Sequence, residues 1–310
     1  MVLGRVVGCA SAAVCIAAAL NVSASDVIRL ETRQASADVA LSGARVMSFK
    51  VRGDEVLWRP NAWNLGGGKW HHGGIPVCWP WFGWSGVDTN VIHGFARDMK
   101  FSVRRKSLNS ERCELVLGLK SDEATRKRWP HDFDLEYSIV LTDRLELSLK
   151  TTNVSDAPFV ITVGFHPYFA IGDRDRTTVT GTDGLRFCDS RITRKCDNVW
   201  QGDMRLLSSF DHVFIEPSKT AFHAIVDPVR GRRIAVSSAG ASRLVVWNPG
   251  TEEPASDTPQ PGSLKVGDWR HLICVEPAIL WRDAAVTVSP GSSHVISATI
   301  SLDATEASGR

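Results

Sequence analysis

The chain has 310 residues, 43% of them hydrophobic and 23% charged, which is enough apolar content for one large packed domain or two ordinary ones and excludes disorder for most of its length. Lysine plus arginine number 36 against 34 aspartate plus glutamate, so no excess of basic charge is offered to a phosphate backbone and a nucleic-acid partner is excluded on electrostatic grounds. Beyond the N-terminus no apolar run reaches the roughly 18–20 residues that span a bilayer, which excludes a polytopic membrane protein.

In chain order, the first element is a leader. Arg5 precedes an apolar run over Val6–Leu20, and Asn21-Val22-Ser23-Ala24 closes it on a small-x-small pattern. A positive start, an apolar middle and a small-residue cleavage site are the layout of a secretory signal peptide, with an uncleaved anchor or a wrongly assigned start as the alternatives. Residues 1–24 are therefore expected to be removed. That leaves 25–310 as a single domain, exported to the periplasm or secreted with no stable membrane insertion, or cytoplasmic if the leader is not used. Cleavage also removes Cys9 and Cys15 and leaves five cysteines, an odd number, so at least one thiol stays free or pairs between chains. Cys188 and Cys196 are close enough in sequence to bridge. No C-x-x-C or histidine-rich spacing argues for a structural metal.

From there on, period-2 alternation recurs. Strands are expected over Val39–Val51 and Glu114–Lys120. A short helix, Asp122–Trp129, is expected between Ser121 as N-cap and Pro130 as terminator. Leu135–Leu141 and Leu145–Thr151 form a hairpin across Thr142-Asp143-Arg144; Leu145, Leu147 and Leu149 alternate with Glu146, Ser148 and Lys150. Ala224–Asp227 and Ile234–Ser237 flank Pro228-Val229-Arg230-Gly231 as a second hairpin, Gly250–Gly262 reads as a long loop, and Ile296, Ala298, Ile300 and Leu302 alternate with Ser297, Thr299 and Ser301. Many short strands punctuated by Gly and Pro, with no linker and no repeat, predict an all-β protein, one large β-sandwich or barrel.

Four segments carry residues that a strand would not choose. Gly73-Gly74-Ile75-Pro76-Val77-Cys78-Trp79-Pro80-Trp81-Phe82-Gly83 combines rigid prolines with two indoles, in a chain with eleven Trp and two Tyr. Trp81 in particular suits an aromatic wall for the C–H face of a sugar, although a structural corner explains the same residues. His93-Gly94-Phe95-Ala96-Arg97 presents an imidazole and a guanidinium four residues apart, equally readable as a solvated pair. Gly164-Phe165-His166-Pro167-Tyr168-Phe169 sets His166 among apolar neighbours, where a satisfied core histidine is the commoner case. Ile273-Cys274-Val275-Glu276-Pro277 sets one carboxylate in an apolar strand, and glutamate is almost never fully buried unless paired.

Taken together, GGIPVCWPWFG, HGFAR, GFHPYFAIGD, VVWNPG and ICVEPA resemble the aldose 1-epimerase superfamily, within it the hexose-6-phosphate mutarotase branch, over about Val39 to Leu302. The resemblance implies a galactose mutarotase-like β-supersandwich with an open sugar cleft, no metal and no redox cofactor. It implies a hexose or hexose-phosphate substrate whose α and β anomers interconvert by ring opening at C1. By the same resemblance Glu276 is the base, His166 the acid, His93 lies near the ring oxygen, Asp211 accepts hydrogen bonds from sugar hydroxyls, and Arg97 is associated with phosphate. A carboxylate and an imidazolium suit the two proton transfers near neutral pH.

One position departs from that branch: the residue before the first GG, usually arginine, is His72 here, after His71. Histidine is mostly neutral above pH 7 and lacks the bidentate fork of arginine, so phosphate recognition should weaken, leaving Arg97 and Lys69 as partial substitutes. The chain is expected to act as a monomer. Two other classes keep some support: a glycoside hydrolase using Glu276 and Asp211 as its carboxylate pair, and a non-catalytic carbohydrate-binding protein on the same scaffold.

Overall fold

A computed structural model describes residues 26–63, 71–85, 91–206, 209–216, 220–251 and 262–304. The expected leader (1–24), Lys69 and nearly all of the 250–262 loop lie outside the described residues. Among the described residues the chain is built from strands, in two large antiparallel sheets of eight and nine strands and two smaller sheets of four and two.

The nine-stranded sheet shows the alternation that the sequence predicts. Phe133–Leu141 and Leu145–Asn153 pair as a hairpin, and Leu145–Asn153 also pairs with Ser293–Ala304. Leu145, Leu147, Leu149, Ile296, Ala298 and Ile300 are buried, while the intervening polar residues face outward. The second expected hairpin is present and longer than expected, Thr220–Asp227 with Arg232–Ala239. The buried face of this sheet shares one apolar core with the eight-stranded sheet: Leu147, Ile296, Phe165, Val246, Ile273 and Val275 belong to the same cluster. Two sheets closed over a common core make a mutarotase-like β-sandwich.

Three local readings are corrected. Val39–Val51 is two strands, Ala35–Ala40 and Val46–Val51, because Gly43 (φ 68°) and Ala44 (φ 48°) turn the chain between them. The helix spans Glu123–Arg128 and its N-cap is Asp122, not Ser121. The Asp122 carboxylate accepts from the Thr125 amide while the Thr125 hydroxyl accepts from the Asp122 amide; Ser121 donates instead to Asp132. Of the two indoles in the first motif, Trp79 belongs to the core. Its Nε1 donates to Thr151 Oγ1 (2.9 Å) and its ring packs on Phe95, Trp129 and Phe133. The bridge between Cys188 and Cys196 is formed, and Cys78, Cys113 and Cys274 are free and buried.

Candidate active site

The eight-stranded sheet sets out the site by register. Phe210–Ile215, Arg243–Asn248 and Leu272–Ile279 are consecutive neighbours, with Asp211 opposite Trp247 and Val245 opposite Glu276. Directly paired residues share a face, as do positions two apart, so Asp211, Val213, Val245, Trp247 and Glu276 project together. These five line a cleft of about 860 Å³. The opposite face of the same strands supplies Ile273, Val275 and Val246 to the sandwich core. That is why Leu272–Ile279 is buried at all eight positions and reads in sequence as an unbroken apolar run around one carboxylate.

His166 reaches the floor of the cleft from the turn between Val163–Phe165 and Tyr168–Ala170, both of which pair with Leu272–Ile279. Its amide donates to the Pro76 carbonyl (3.1 Å), and its ring stacks on Tyr168, 4.7 Å between centroids and 2° from parallel. The Nδ1 atom lies 3.4 Å from Glu276 Oε1. The separation is long for a hydrogen bond, as is common before a substrate tightens the site.

Glu276 is only 1% exposed, and burial, with Asp211 adding like charge, pushes its carboxyl well above the ordinary value of 4.5. Burial, reinforced by the neighbouring His93 and His72 and by the arginines Arg45 and Arg97, holds His166 well below 6.5. Both shifts favour the neutral pair, with its one proton on Glu276; the tautomer with that proton on His166 has the same total number of protons.

His93 lies beside this pair, its ring 5.3 Å from that of His166. The Gly83 amide donates to His93 Nδ1 (3.2 Å), and burial lowers the ring to about 3. The neutral tautomer with Nε2–H follows, a fixed hydrogen-bond donor. His93 (φ 62°) and Trp281 (φ 66°), both lining the cleft, hold left-handed backbone that non-glycine residues rarely adopt, a strain typical of functional sites. Asp211 accepts from the Ser190 hydroxyl, and burial raises its carboxyl. Trp81 spends its Nε1–H on the Val91 carbonyl (2.9 Å), so what it offers the cleft is an apolar surface.

His166, Glu276, His93, Asp211 and Trp81 thus meet in one cleft. Arg97 does not line it: it is buried in the short turn Ala96–Asp98, within electrostatic reach of Arg45, Asp98, Cys78 and Tyr168. His72 does line it, bonded through its amide to the Gly262 carbonyl and lowered to about 4 by burial, so it is neutral at working pH. Sequence reasoning missed Trp247, Phe82, Ser190, Arg194 and Arg282, all cleft-lining. Trp247 stood inside the VVWNPG segment and could have been found there.

One set of donors, His166, Cys274 and Glu276, lies close enough to consider a metal, with ligand atoms within 4.8 Å of one another. Burial holds the Cys274 thiol well above 9 and the Glu276 carboxyl above its usual value, so both favour a proton over the charge a ligand needs. The set suits proton transfer better than coordination.

The fold and this site define a mutarotase-like β-sandwich with a buried histidine–glutamate pair at the floor of an aromatic-walled cleft. A family model described as aldose 1-epimerase matches residues 26–301. The chain is 32% identical over 265 residues to a protein of Escherichia coli strain K12 provisionally designated glucose-6-phosphate 1-epimerase, covering 84% of this chain and 86% of that one. A protein of Salmonella typhimurium with the same designation is 33% identical over 254 residues, 81% and 82% of the two chains. Among solved structures, the provisionally designated mutarotase YeaD from Salmonella typhimurium superposes with a TM-score of 0.79 at 28% identity, covering 92% of both chains. The chain belongs to the aldose 1-epimerase family, and is an enzyme of the epimerase or mutarotase type.

Proposed function

We propose that this protein interconverts the α and β anomers of a hexose or hexose derivative by opening and reclosing the ring at C1. The observation that carries the reading is the His166–Glu276 pair, 3.4 Å apart and buried at the floor of a cleft, where burial pushes the carboxyl up and the imidazole down. In the productive tautomer the Glu276 carboxylate takes the proton from the C1 hydroxyl. C1=O forms, the bond from C1 to the ring oxygen breaks, and protonated His166 delivers its proton to that oxygen. The pair ends with the same single proton. Rotation of about half a turn around C1–C2 presents the other carbonyl face, and reclosure runs the same transfers backward.

His93 Nε2–H is placed to donate to a sugar oxygen near His166, and Asp211, braced by Ser190, to accept from a hydroxyl. Trp81 and Trp247 supply apolar surface for the pyranose. Named relatives carry a glucose-6-phosphate designation, but a neutral His72 offers no charge to phosphate at its position. Catalysis here is accordingly not tied to a 6-phosphate. Export is part of the proposal, supported by the leader-like first 24 residues and by a disulfide, which persists in oxidising compartments.

The test is a polarimetric panel. Freshly dissolved α-glucose, α-galactose and a glucose 6-phosphate solution displaced from anomeric equilibrium are followed with and without the mature protein. Acceleration on a free hexose supports the reading; binding without acceleration on any of the three would make the protein a sugar binder instead.

A further inference from the structure

The segment between the two bridged cysteines, Asp189-Ser190-Arg191-Ile192-Thr193-Arg194-Lys195, plays no part in the proton transfers, yet it forms one wall of the cleft. Its position is fixed from below. The Cys188–Cys196 disulfide packs in the same apolar cluster as Phe82, Val213 and Val245, each of which lines the cleft. It is also fixed from the side: Arg191 bonds Asp189 (2.6 Å) and the Ser209 carbonyl (2.9 Å), and Ser190 bonds Asp211. With the loop pinned in this way, Arg194 lines the cleft from an exposed position.

Arg282, on the segment that follows Leu272–Ile279, lines the same cleft. Among the described residues neither guanidinium is in an ion pair, while most other arginines on the surface are. The only carboxylates among the described lining residues are Asp211 and Glu276, which are committed to the sugar hydroxyls and C1. Counted over the described lining residues, the outer cleft is therefore positive. It is also larger than one sugar needs: about 860 Å³ is near the top of the range of about 300–1,000 Å³ for ligand pockets, and more than a single pyranose fills. Trp84, 64% exposed, and Trp281 extend the aromatic surface outward, away from the buried pair.

We infer that the disulfide-closed 188–196 loop is a specificity element whose Arg194, together with Arg282, binds an oxyanion carried by the substrate beyond the ring that is opened, so that the preferred substrate is an acidic sugar with its reducing end at Glu276 and His166. A guanidinium presents planar paired donors that match a carboxylate or a phosphate, and both chemistries fit the wall. The inference rests on the cleft being a sugar site, as proposed above.

Titration calorimetry tests it with sugars already at anomeric equilibrium, so that no net reaction contributes heat. The probes are lactose (neutral), digalacturonate (carboxylate) and glucose 6-phosphate (phosphate), with the wild type and the Arg194→Gln/Arg282→Gln double variant, whose fold is checked by circular dichroism. Two exposed charge-assisted contacts should give a preference of about five- to tenfold for digalacturonate over lactose in the wild type. The double variant should reduce that ratio to near unity. Arg194→Lys should restore only part of it. Preference for digalacturonate that the double variant loses supports the loop's role, whereas preference for glucose 6-phosphate alone, whose phosphate sits on the opened ring itself, overturns it. An acidic-to-neutral ratio that is the same in wild type and double variant overturns the inference and leaves the anomerase reading intact. Failure of all three sugars to bind would remove both.

Discussion

Glu276→Gln separates the chemistry of the site from its contribution to the fold. The substitution keeps the volume of a side chain buried on all sides and removes the group that the proposed mechanism assigns to take the C1 hydroxyl proton. General acid–base assistance is worth about 10²–10⁴-fold per group, so kcat should fall by that factor, about 2.7–5.4 kcal/mol of transition-state stabilisation. Stability should move the other way. The folded carboxyl sits above its unfolded value, so the unfolded chain releases its proton first as pH rises. Wild-type stability from this group is present below the ordinary carboxylate range and is lost as pH climbs towards the raised value, at about 1.4 kcal/mol for each pH unit that separates the two. Glutamine carries no such loss. Thermal unfolding at about pH 4.5 and about pH 8.5 should therefore show the variant gaining on the wild type at the higher pH, by about 2–4 °C per kcal/mol for a domain of this size. An activity within about tenfold of wild type, or a Tm difference that does not widen with pH, would refute the reasoning.

Three further outcomes are expected. The rate against pH should be bell-shaped, with an acid limb below 6.5, where His166 takes a second proton, and an alkaline limb above 4.5, where Glu276 loses the last one; a narrow bell confined between 4.5 and 6.5 would mean that burial does not order the pair as described. Gly94→Ala places a Cβ 2.0 Å from the Trp79 carbonyl oxygen at φ +71°, so it should cost more than about 1 kcal/mol, lower Tm by several degrees and displace His93; unchanged melting and turnover would contradict the role of that turn. Opening the Cys188–Cys196 bridge, which closes a loop of sequence separation 8, should cost about 2.5 kcal/mol on the chain-entropy account, read as a lower denaturant midpoint for the Cys188→Ser/Cys196→Ser variant.

Much of this was legible in the residues. The hairpins at 133–153 and 220–239 were readable because one face of their sheet meets the core and the other meets water, which writes period 2 into the sequence. Glu276 announced itself as the one charge in an apolar strand, and His166 as an imidazole among aromatics. Other features were hidden for definite reasons. The turn at Gly43 and Ala44 lies in a run of small apolar residues, and nothing in alanine signals a positive φ. Asp122 and Ser121 are both good caps, and only the reciprocal bonds with Thr125 decide between them. Arg97 follows His93 by four residues, yet the tight turn at Gly94 sends the histidine to the cleft and the arginine into the interior. Arg194 sat in a charged stretch between two cysteines, which alone reads as solvated surface; its place on the cleft wall depends on the disulfide and on the register of Phe210–Ile215.

Saturation transfer between the two anomeric protons of glucose, followed by NMR with the mature wild-type protein, His166→Asn and Glu276→Gln, tests the central claim most directly. Acid–base ring opening by the buried pair predicts that irradiating one anomeric resonance attenuates the other with the wild type, and that neither variant does so above the uncatalysed background. Ligand line broadening without transfer in the wild type, or transfer that survives in both variants, would contradict it.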